Sequence, residues 1–267
     1  GSMLTKAEIQ MVRSLGDKRG RQDAGLFVAE GAKLVTELLA GTVSASGLRL
    51  RRVFCTEEGM QQIHSATTLP NSACNQLLET VSRKEMERIS FLKTPSEFLA
   101  LVEIPRWRKP ALTKGAGLLL ALDGVQDPGN MGTILRIADW FGIRDVVCSE
   151  HTADCFNPKV VQATMGAIAR VRVHYLSLIE WLSDVLKAGL LIYGTFLDGE
   201  TIYNVPLAAE GVIVMGSEGK GVSAQVAELV TNRLYIPSFP VGVDTSESLN
   251  VATATAIVCS EFRRRCL

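Results

Sequence analysis

Continuous apolar runs, separated by amphipathic segments, dominate the chain after residue 117. The six candidate strands are residues 118–123, 145–148, 171–174, 190–195, 211–215 and 233–236. Unbroken apolar runs are typical of strands that are buried on both faces of a parallel sheet. Because these runs alternate with helical segments, the pattern predicts an α/β fold with a parallel sheet.

The helices of this region are predicted from their apolar spacing and their caps. Residues 131–141 carry four apolar side chains at the i, i+3, i+4, i+7 spacing of one buried helix face, and Arg136 lies away from that face. The four are Ile134, Ile137, Ala138 and Phe141. A second helix follows Ser223, a residue type that suits an N-cap. A third covers about 249–263, where closing arginines suit the negative end of the helix dipole.

The first hundred residues mix helix and strand patterns on a smaller scale, which predicts a separate α/β unit. Residues 105–117 hold two prolines, two glycines and four basic side chains, a composition typical of a linker. We therefore predict a smaller domain over 4–104, a linker over 105–117 and a larger domain over 118–267.

Composition narrows the class of protein. The chain has 267 residues, 47% of them hydrophobic, which is enough to bury a full core. Six cysteines without a CxxC pair predict a reduced, cytoplasmic protein. No apolar run approaches the roughly 20 residues of a membrane span, and the first residues lack a signal-peptide pattern. Cys148, His151 and Cys155 have no fourth ligand at zinc-site spacing, so no metal is predicted.

The formal net charge is zero, which by itself gives no indication of a nucleic-acid partner. The charge is nevertheless unevenly distributed. Residues 1–110 hold 16 basic and 12 acidic side chains, a net charge of +4, and the remainder of the chain has a net charge of −4. The neutral total is therefore the sum of a basic first part and an acidic second part. This difference in charge favours separate functions for the two parts.

Three polar loops lie at the ends of predicted strands, where open α/β sheets bind ligands. They contain Asn130 and Arg136, then Glu218 within GSEGKG at 216–221, then Ser248 and Asn250. Each loop also has an ordinary interpretation: the Asn and Ser side chains suit helix caps, Arg136 suits a solvated face, and the glycines suit a tight turn. The glycine loop matches neither the Walker A pattern nor GxGxxG, and its carboxylate argues against a phosphate cradle.

Taken in this order, the loops resemble motifs 1, 2 and 3 of the SpoU (TrmH-type) RNA 2′-O-methyltransferases of the SPOUT superfamily. The motif residues are Asn130, Gly132 and Arg136, then residues 216–221, then Ile236, Pro237, Ser248, Leu249, Asn250 and Val251. Residues 12–39 are similar to the RNA substrate-binding domain, of L30e-like fold, that precedes the catalytic domain in many of these enzymes. The resemblance covers nearly the whole chain.

This resemblance implies a fold, a cofactor and partners. The implied fold is a parallel-sheet domain with a deep trefoil knot, preceded by the small L30e-like domain. The implied cofactor is S-adenosylmethionine, and the implied reaction is methylation of a ribose 2′-hydroxyl. The implied partners are RNA, with ribosomal RNA ahead of transfer RNA, and a second copy of the chain in a homodimer whose sites combine loops from both subunits. No membrane and no metal are implied.

The resemblance also implies roles for individual residues. Arg136 is the expected centre of catalysis, either as the base or, because a guanidinium stays charged, as a group that binds phosphate and stabilises the developing alkoxide. The side chains expected to orient the ribose and Arg136 are Asn130, Glu218, Ser248 and Asn250. The expected cofactor contacts are Thr195, Gly216, Gly219, Ile236 and Leu249. The expected RNA contacts are Arg13, Lys18, Arg19 and Arg21.

Two alternatives stay open at this point. A Rossmann-type nucleotide-binding enzyme predicts GxGxxG after the first strand, and that pattern is absent. A catalytically weak RNA-binding protein of the same fold is disfavoured by the intact Arg136, Glu218 and Asn250. The loop over 238–247 is several residues longer than the usual family spacing, so its role is left open.

Overall fold

The computed structural model describes residues 3–41, 44–65, 76–245 and 248–267. The chain forms two compact units: Gly1–Arg106 with Asp154–Arg170, and Trp107–Ala153 with Val171–Leu267. The first change of unit falls within the predicted linker over 105–117. Residues 154–170, which we call the inserted segment, pack with the first unit although they lie within the predicted larger domain. No pattern in the sequence predicted that these residues pack with the first unit.

The helices and strands of the described residues are numbered in chain order. Up to residue 106 they are α1 Lys6–Ser14, α2 Lys18–Ala24, β1 Leu26–Glu30, α3 Ala32–Ala40, β2 Leu50–Cys55, α4 Glu57–Ser65, β3 Leu78–Thr80, α5 Arg83–Ile89 and β4 Phe98–Glu103. Beyond it they are β5 Leu118–Asp123, α6 Pro128–Trp140, β6 Asp145–Cys148, α7 Pro158–Ala163, β7 Arg172–Tyr175, α8 Leu178–Lys187, β8 Ile192–Thr201, β9 Gly211–Gly216, α9 Ala224–Ala227, β10 Asn232–Tyr235 and α10 Val251–Arg264.

The sheet of the first unit has the strand order β1-β4-β2-β3 in the described residues. Strand β4 runs antiparallel to β1 and β2, and β3 runs parallel to β2. Strand β1 is buried along its whole length. Helices α1 and α5 pack on the sheet through a core that includes Val12, Leu15, Phe54 and Met86.

Two ion pairs fix the ends of the inserted segment within the first unit. Asp154 at its start accepts a hydrogen bond of 2.8 Å from Nη2 of Arg21, and Arg170 at its end pairs with Glu37. Between them, the ring of Phe156 packs against a phenylalanine of β1 with 4.7 Å between the ring centroids. The inserted segment is therefore part of the core of this unit.

The sheet of the second unit has the strand order β10-β8-β9-β5-β6-β7, and every neighbouring pair is parallel. This arrangement confirms the predicted α/β fold with a parallel sheet. Helix α8 covers one face through a core that includes Ala121, Trp181, Leu182 and Val214. The trefoil knot that the resemblance implies stays a prediction.

Helix α6 begins at Pro128, three residues earlier than predicted. The Asp127 carboxylate accepts a hydrogen bond of 2.8 Å from the backbone N–H of Asn130, and a proline suits the first helical position. The buried stripe of the helix is Met131, Ile134, Leu135 and Ala138. The predicted stripe was therefore partly wrong, because Ile137 and Phe141 are only half-buried.

A largely buried charge cluster joins the neighbouring strands β6 and β7. The Asp145 carboxylate accepts hydrogen bonds from Nε and Nη2 of Arg172 at 2.8 and 2.9 Å, and from Nε2 of His174 at 2.9 Å. Burial raises the pKa of Asp145, but the hydrogen bonds from Arg172 and His174 outweigh burial and lower the pKa to about 2. The charged carboxylate therefore stabilises the folded state at neutral pH.

Asp145→Asn is expected to lower the free energy of unfolding at neutral pH by about 1–3 kcal/mol, because the buried His174 and the partly exposed Arg172 lose a charged acceptor. The pKa of the folded state lies below the ordinary value of 3.8, so this contribution is present above that value and is lost as the pH falls towards 2. Urea unfolding, followed by circular dichroism at neutral and at acidic pH, measures the difference. Asp184→Asn on the exposed side of α8 is the matched control, and equal effects of the two changes would contradict the prediction.

Candidate active site

The loops that follow β5 and β9 lie side by side at the carboxyl edge of the second sheet. Asp123 and Gly216, the last residues of these strands, are paired in register. The Asp123 carboxylate also accepts a hydrogen bond of 2.7 Å from the backbone N–H of Ser223, which joins the two loops. Parallel α/β sheets bind their ligands at this edge.

Three side chains from the three motif loops form a chain of hydrogen bonds, which we call the amide relay. Nδ2 of Asn130 donates to the Glu218 carboxylate, and Nδ2 of Asn250 donates to Oδ1 of Asn130 at 3.0 Å. Oδ1 of Asn250 accepts from the backbone N–H groups of Ala252 and Thr253 at 2.9 and 3.1 Å. The relay therefore brings together Asn130, Glu218 and Asn250, as the motif order indicated.

The direction of the relay is fixed by its carboxylate end. An ionised carboxylate only accepts hydrogen bonds, so the NH₂ group of Asn130 faces Glu218 and its carbonyl faces Asn250. The carbonyl of Asn250 then faces the N–H groups at the start of α10, which form the positive end of the helix dipole. A substitution that reverses one amide therefore disturbs the whole chain of hydrogen bonds.

The helix-cap interpretation is correct for one of the two asparagines. Asn250 caps α10, so it serves both the helix and the relay. Asn130 does not cap α6, because Asp127 is its N-cap residue. The side-chain amide of Asn130 is therefore available for the amide relay. Asp127 was not predicted as the cap, although an Asp followed by Pro is a signal for a helix start.

The structure does not bring Arg136 or Ser248 into the relay. Arg136 lies on the exposed face of α6, about 9 Å along the helix axis from Asn130. Its guanidinium makes no hydrogen bond or ion pair with the residues that the structure describes, and the same holds for the exposed hydroxyl of Ser248. The Arg136 guanidinium is therefore available to an external anion such as a phosphate.

Glycines shape the loop that contains Glu218. A Cβ atom on Gly216 would lie 2.1 Å from the carbonyl carbon of Gly221, so a larger residue does not fit there. The backbones of Ser217 and Gly221 exchange hydrogen bonds of 3.1 and 2.9 Å, and Gly219 has a φ of +78°. The tight-turn interpretation is thus correct for the glycines. The turn also fixes the position of Glu218, whose carboxylate accepts the hydrogen bond from Asn130.

Strand β8 contains a wide bulge that carries Thr195. Strand β10 pairs with β8 at 193–194 and again at 200–201, so the five residues between them leave the ladder. Arg233 of β10 pairs with Asp198 of the bulge at 2.7 Å. Thr195 therefore lies outside the strand pairing, which leaves its backbone groups free of the ladder.

The other predicted cofactor residues lie in loops of the same unit. Gly216 and Gly219 belong to the glycine loop, and Ile236 directly follows β10. Leu249 precedes the relay residue Asn250 and is 51% exposed. The long loop over 238–247 is described as far as residue 245; Ser246 and Glu247 lie outside the described residues.

The predicted RNA contacts divide into exposed and buried side chains. Arg13, Lys18 and Arg19 are exposed on the first unit. Arg21 is only 2% exposed, and its guanidinium donates to the Leu15 carbonyl at 3.0 Å as well as to the inserted segment. This burial corrects the prediction for Arg21, because a phosphate cannot reach its guanidinium. The partner that buries it lies 133 positions later in the chain.

Two features are absent from the residues that the structure describes. In this part of the chain, no group of three or more His, Cys, Asp or Glu side chains is placed to hold a metal ion. Nor is any helix in it both long and apolar enough to cross a membrane.

A parallel α/β sheet with polar loops at its carboxyl edge is the arrangement found in ligand-binding domains of the α/β class. The chain belongs to the SpoU rRNA Methylase family, whose model matches residues 117–260. Residues 6–100 match the MRM3-like substrate binding domain. These matches confirm the family resemblance and exclude the Rossmann-type alternative.

Similar proteins cover nearly the whole chain. The chain is 29% identical to the 23S rRNA (guanosine(2553)-2′-O)-methyltransferase RlmP of Bacillus subtilis, over 94% of each chain. A solved TrmH-family structure from Porphyromonas gingivalis is 40% identical, with a TM-score of 0.84 over 99% of this chain and all of the other. An AdoMet-bound rRNA methyltransferase from Sinorhizobium meliloti is 27% identical, with a TM-score of 0.82 over 100% and 98% of the two chains.

Proposed function

We propose that this protein transfers a methyl group from S-adenosylmethionine to a ribose 2′-hydroxyl of ribosomal RNA in the cytoplasm. The observation that carries the proposal is the amide relay, which joins all three motif loops of the SpoU family at the ligand-binding edge of the sheet. The relative from Bacillus subtilis, named as a 23S rRNA 2′-O-methyltransferase, supports the choice of substrate.

The loops of the second unit fit an adenosyl cofactor. Thr195 and Ile236 offer backbone groups at a bulge and a strand end, outside the sheet ladders, and Leu249 offers an exposed apolar side chain. An adenosine needs this combination of backbone hydrogen bonds and apolar surface. Gly216 and Gly219 place no side chain at their own positions in the neighbouring loop. When bound, S-adenosylmethionine supplies a methyl group that is activated by its positive sulfur.

The protein contributes positioning and charge to the transfer. The relay holds the Glu218 carboxylate and the Asn130 amide in one orientation, so that they present fixed hydrogen-bonding groups to a ribose. Arg136 stays protonated, because a guanidinium does not lose its proton at physiological pH. Its unpaired charge binds a phosphate of the RNA and stabilises the alkoxide that develops at the 2′ oxygen while the hydroxyl proton passes to water.

In this proposal, the first unit makes most of the contacts with RNA. Arg13, Lys18 and Arg19 present exposed positive charge there. Phosphate contacts of this kind supply much of the affinity of proteins for nucleic acids and weaken as salt rises. The family match of this unit to a substrate binding domain supports the assignment.

We also propose a homodimer in which the end of α6 faces the second copy. Trp140 at the end of α6 is 84% exposed, which is unusual for so large an apolar side chain.

Trp140→Arg is expected to shift the protein from dimer to monomer at micromolar concentration, because a charge replaces an apolar contact. Sedimentation analysis measures the mass of each species. An unchanged mass, whether dimeric or monomeric, would contradict the proposal.

Mapping of 2′-O-methyl groups tests the proposed reaction. Total RNA from cells with and without the gene is compared, and the purified protein is then incubated with labelled S-adenosylmethionine and RNA from the deletion strain. The expected result is one or a few sites in ribosomal RNA that disappear on deletion and are restored by the protein. RNA binding without methyl transfer would favour the catalytically weak RNA-binding alternative instead.

A further inference from the structure

The first unit contains a cavity of about 240 Å³ that none of the predicted roles uses. One part of its wall is the loop after α5, with Phe91, Leu92 and Lys93. Another part comes from the inserted segment, with Pro158, Lys159 and Gln162. The cavity therefore exists because the inserted segment packs in this unit.

The loop that carries Phe91 is held from two sides. The buried Glu30 carboxylate accepts hydrogen bonds from Oγ of Ser90 at 2.5 Å and from the backbone N–H of Phe91 at 2.8 Å. The guanidinium of Arg13 donates to the Ser90 carbonyl at 2.9 Å and lies 4.4 Å from the centroid of the Phe91 ring. This aromatic wall is thus fixed in place before any ligand binds, which lowers the entropic cost of binding.

The cavity combines apolar and aromatic surface with positive charge. Lys93 and Lys159 are exposed, and neither forms an ion pair with any residue in the described part of the chain. Gln162 adds an exposed amide that can both donate and accept hydrogen bonds. The carboxylate of Glu30 is already engaged by the loop, so the two ammonium groups are the charges available to a ligand.

We propose that this cavity binds one unpaired nucleobase of the substrate RNA, with the adjoining phosphates on Lys93 and Lys159. The inference rests on the proposed function, because it takes RNA as the substrate. The cavity is smaller than the roughly 300–1,000 Å³ of typical ligand pockets and suits a single planar heterocycle. Proteins recognise unpaired RNA by packing its bases against aromatic side chains and pairing its phosphates with cations.

A fluorescent base tests the proposal directly. The full-length protein is titrated into a single-stranded oligoribonucleotide that contains 2-aminopurine, whose emission changes when the base leaves water and stacks. The double variant Lys93→Ala, Lys159→Ala is expected to weaken binding about tenfold, because two phosphate contacts are lost. Gln162→Phe, which fills the cavity without changing the charge, is expected to suppress the emission change. Lys33→Ala, Lys84→Ala removes the same charge from exposed positions outside the cavity and is the matched control.

The outcomes separate base capture from general attraction to RNA. Equal weakening in the two lysine double variants, with no effect of Gln162→Phe, would mean charge attraction alone and would overturn the proposal. Thermal unfolding of every variant shows whether the fold is retained. Methylation of ribosomal RNA by the parent protein is assayed alongside: its absence would overturn the proposed reaction, whereas an active parent with unaffected cavity variants would overturn only the nucleobase site.

Discussion

Arg136→Ala is expected to leave the affinity for S-adenosylmethionine almost unchanged while lowering kcat for RNA methylation by about 10²–10³-fold. The guanidinium lies on the exposed face of α6 and has no partner among the described residues, so its loss disturbs no internal contact. The charge that would stabilise the developing alkoxide is lost with it. Calorimetry with the cofactor and a single-turnover methylation assay measure the two quantities separately.

Two further variants test whether the effect depends on the charge of Arg136, on the geometry of its donors or on its position. Arg136→Lys keeps the charge but loses the planar fork of donors, so we expect an intermediate rate. Arg144→Ala, in the exposed turn after α6, removes the same charge away from the motif and should retain near-parental turnover. If Arg136→Ala also turned over at the parental rate, Arg136 would have no role in the transfer.

Asn130→Asp is expected to lower kcat by about 10²-fold with little change in thermal stability. The substitution places a second carboxylate against Glu218, where the amide now donates a hydrogen bond, and like charges at this distance repel. The fold should tolerate the change, because a negative charge near the start of a helix is favourable. Methylation rates and unfolding temperatures, measured on the same preparations, distinguish the two effects.

The double variant Asn130→Asp, Glu218→Gln tests the direction of the relay. It exchanges the carboxylate and the amide, so a donor again meets an acceptor at each step, including the bond from Asn250. Recovery of at least part of the lost rate would show that the relay positions groups. No recovery would mean that the charge of Glu218 is itself required. Asn204→Asp, at an exposed position of the same unit, controls for the added charge.

The fold of the second unit could be predicted because its signals are local. The apolar runs that form the central strands β5 and β9 are buried on both faces, and such burial is visible in a single stretch of sequence. The site could be predicted only through motif order. The bond between Asn130 and Asn250 joins residues 120 positions apart, and nothing in either segment alone points to the other.

The errors came where tertiary contacts override local pattern. Arg21 lies in a basic stretch and is typical of a surface residue, yet Asp154 buries it from a distant part of the chain. The buried stripe of α6 differs from the predicted one because the face that packs against α10 decides which residues are buried. In both cases the deciding partner was itself undetermined until the fold was known.

The inserted segment also limits how this protein can be divided. A fragment that ends at residue 106 lacks Asp154 and leaves the buried guanidinium of Arg21 without its carboxylate, a costly defect in a core. The same fragment uncovers β1 where Phe156 packs. The amino-terminal part is therefore not a removable module, and exchange of this part between homologues preserves its core only if residues 154–170 are exchanged with it.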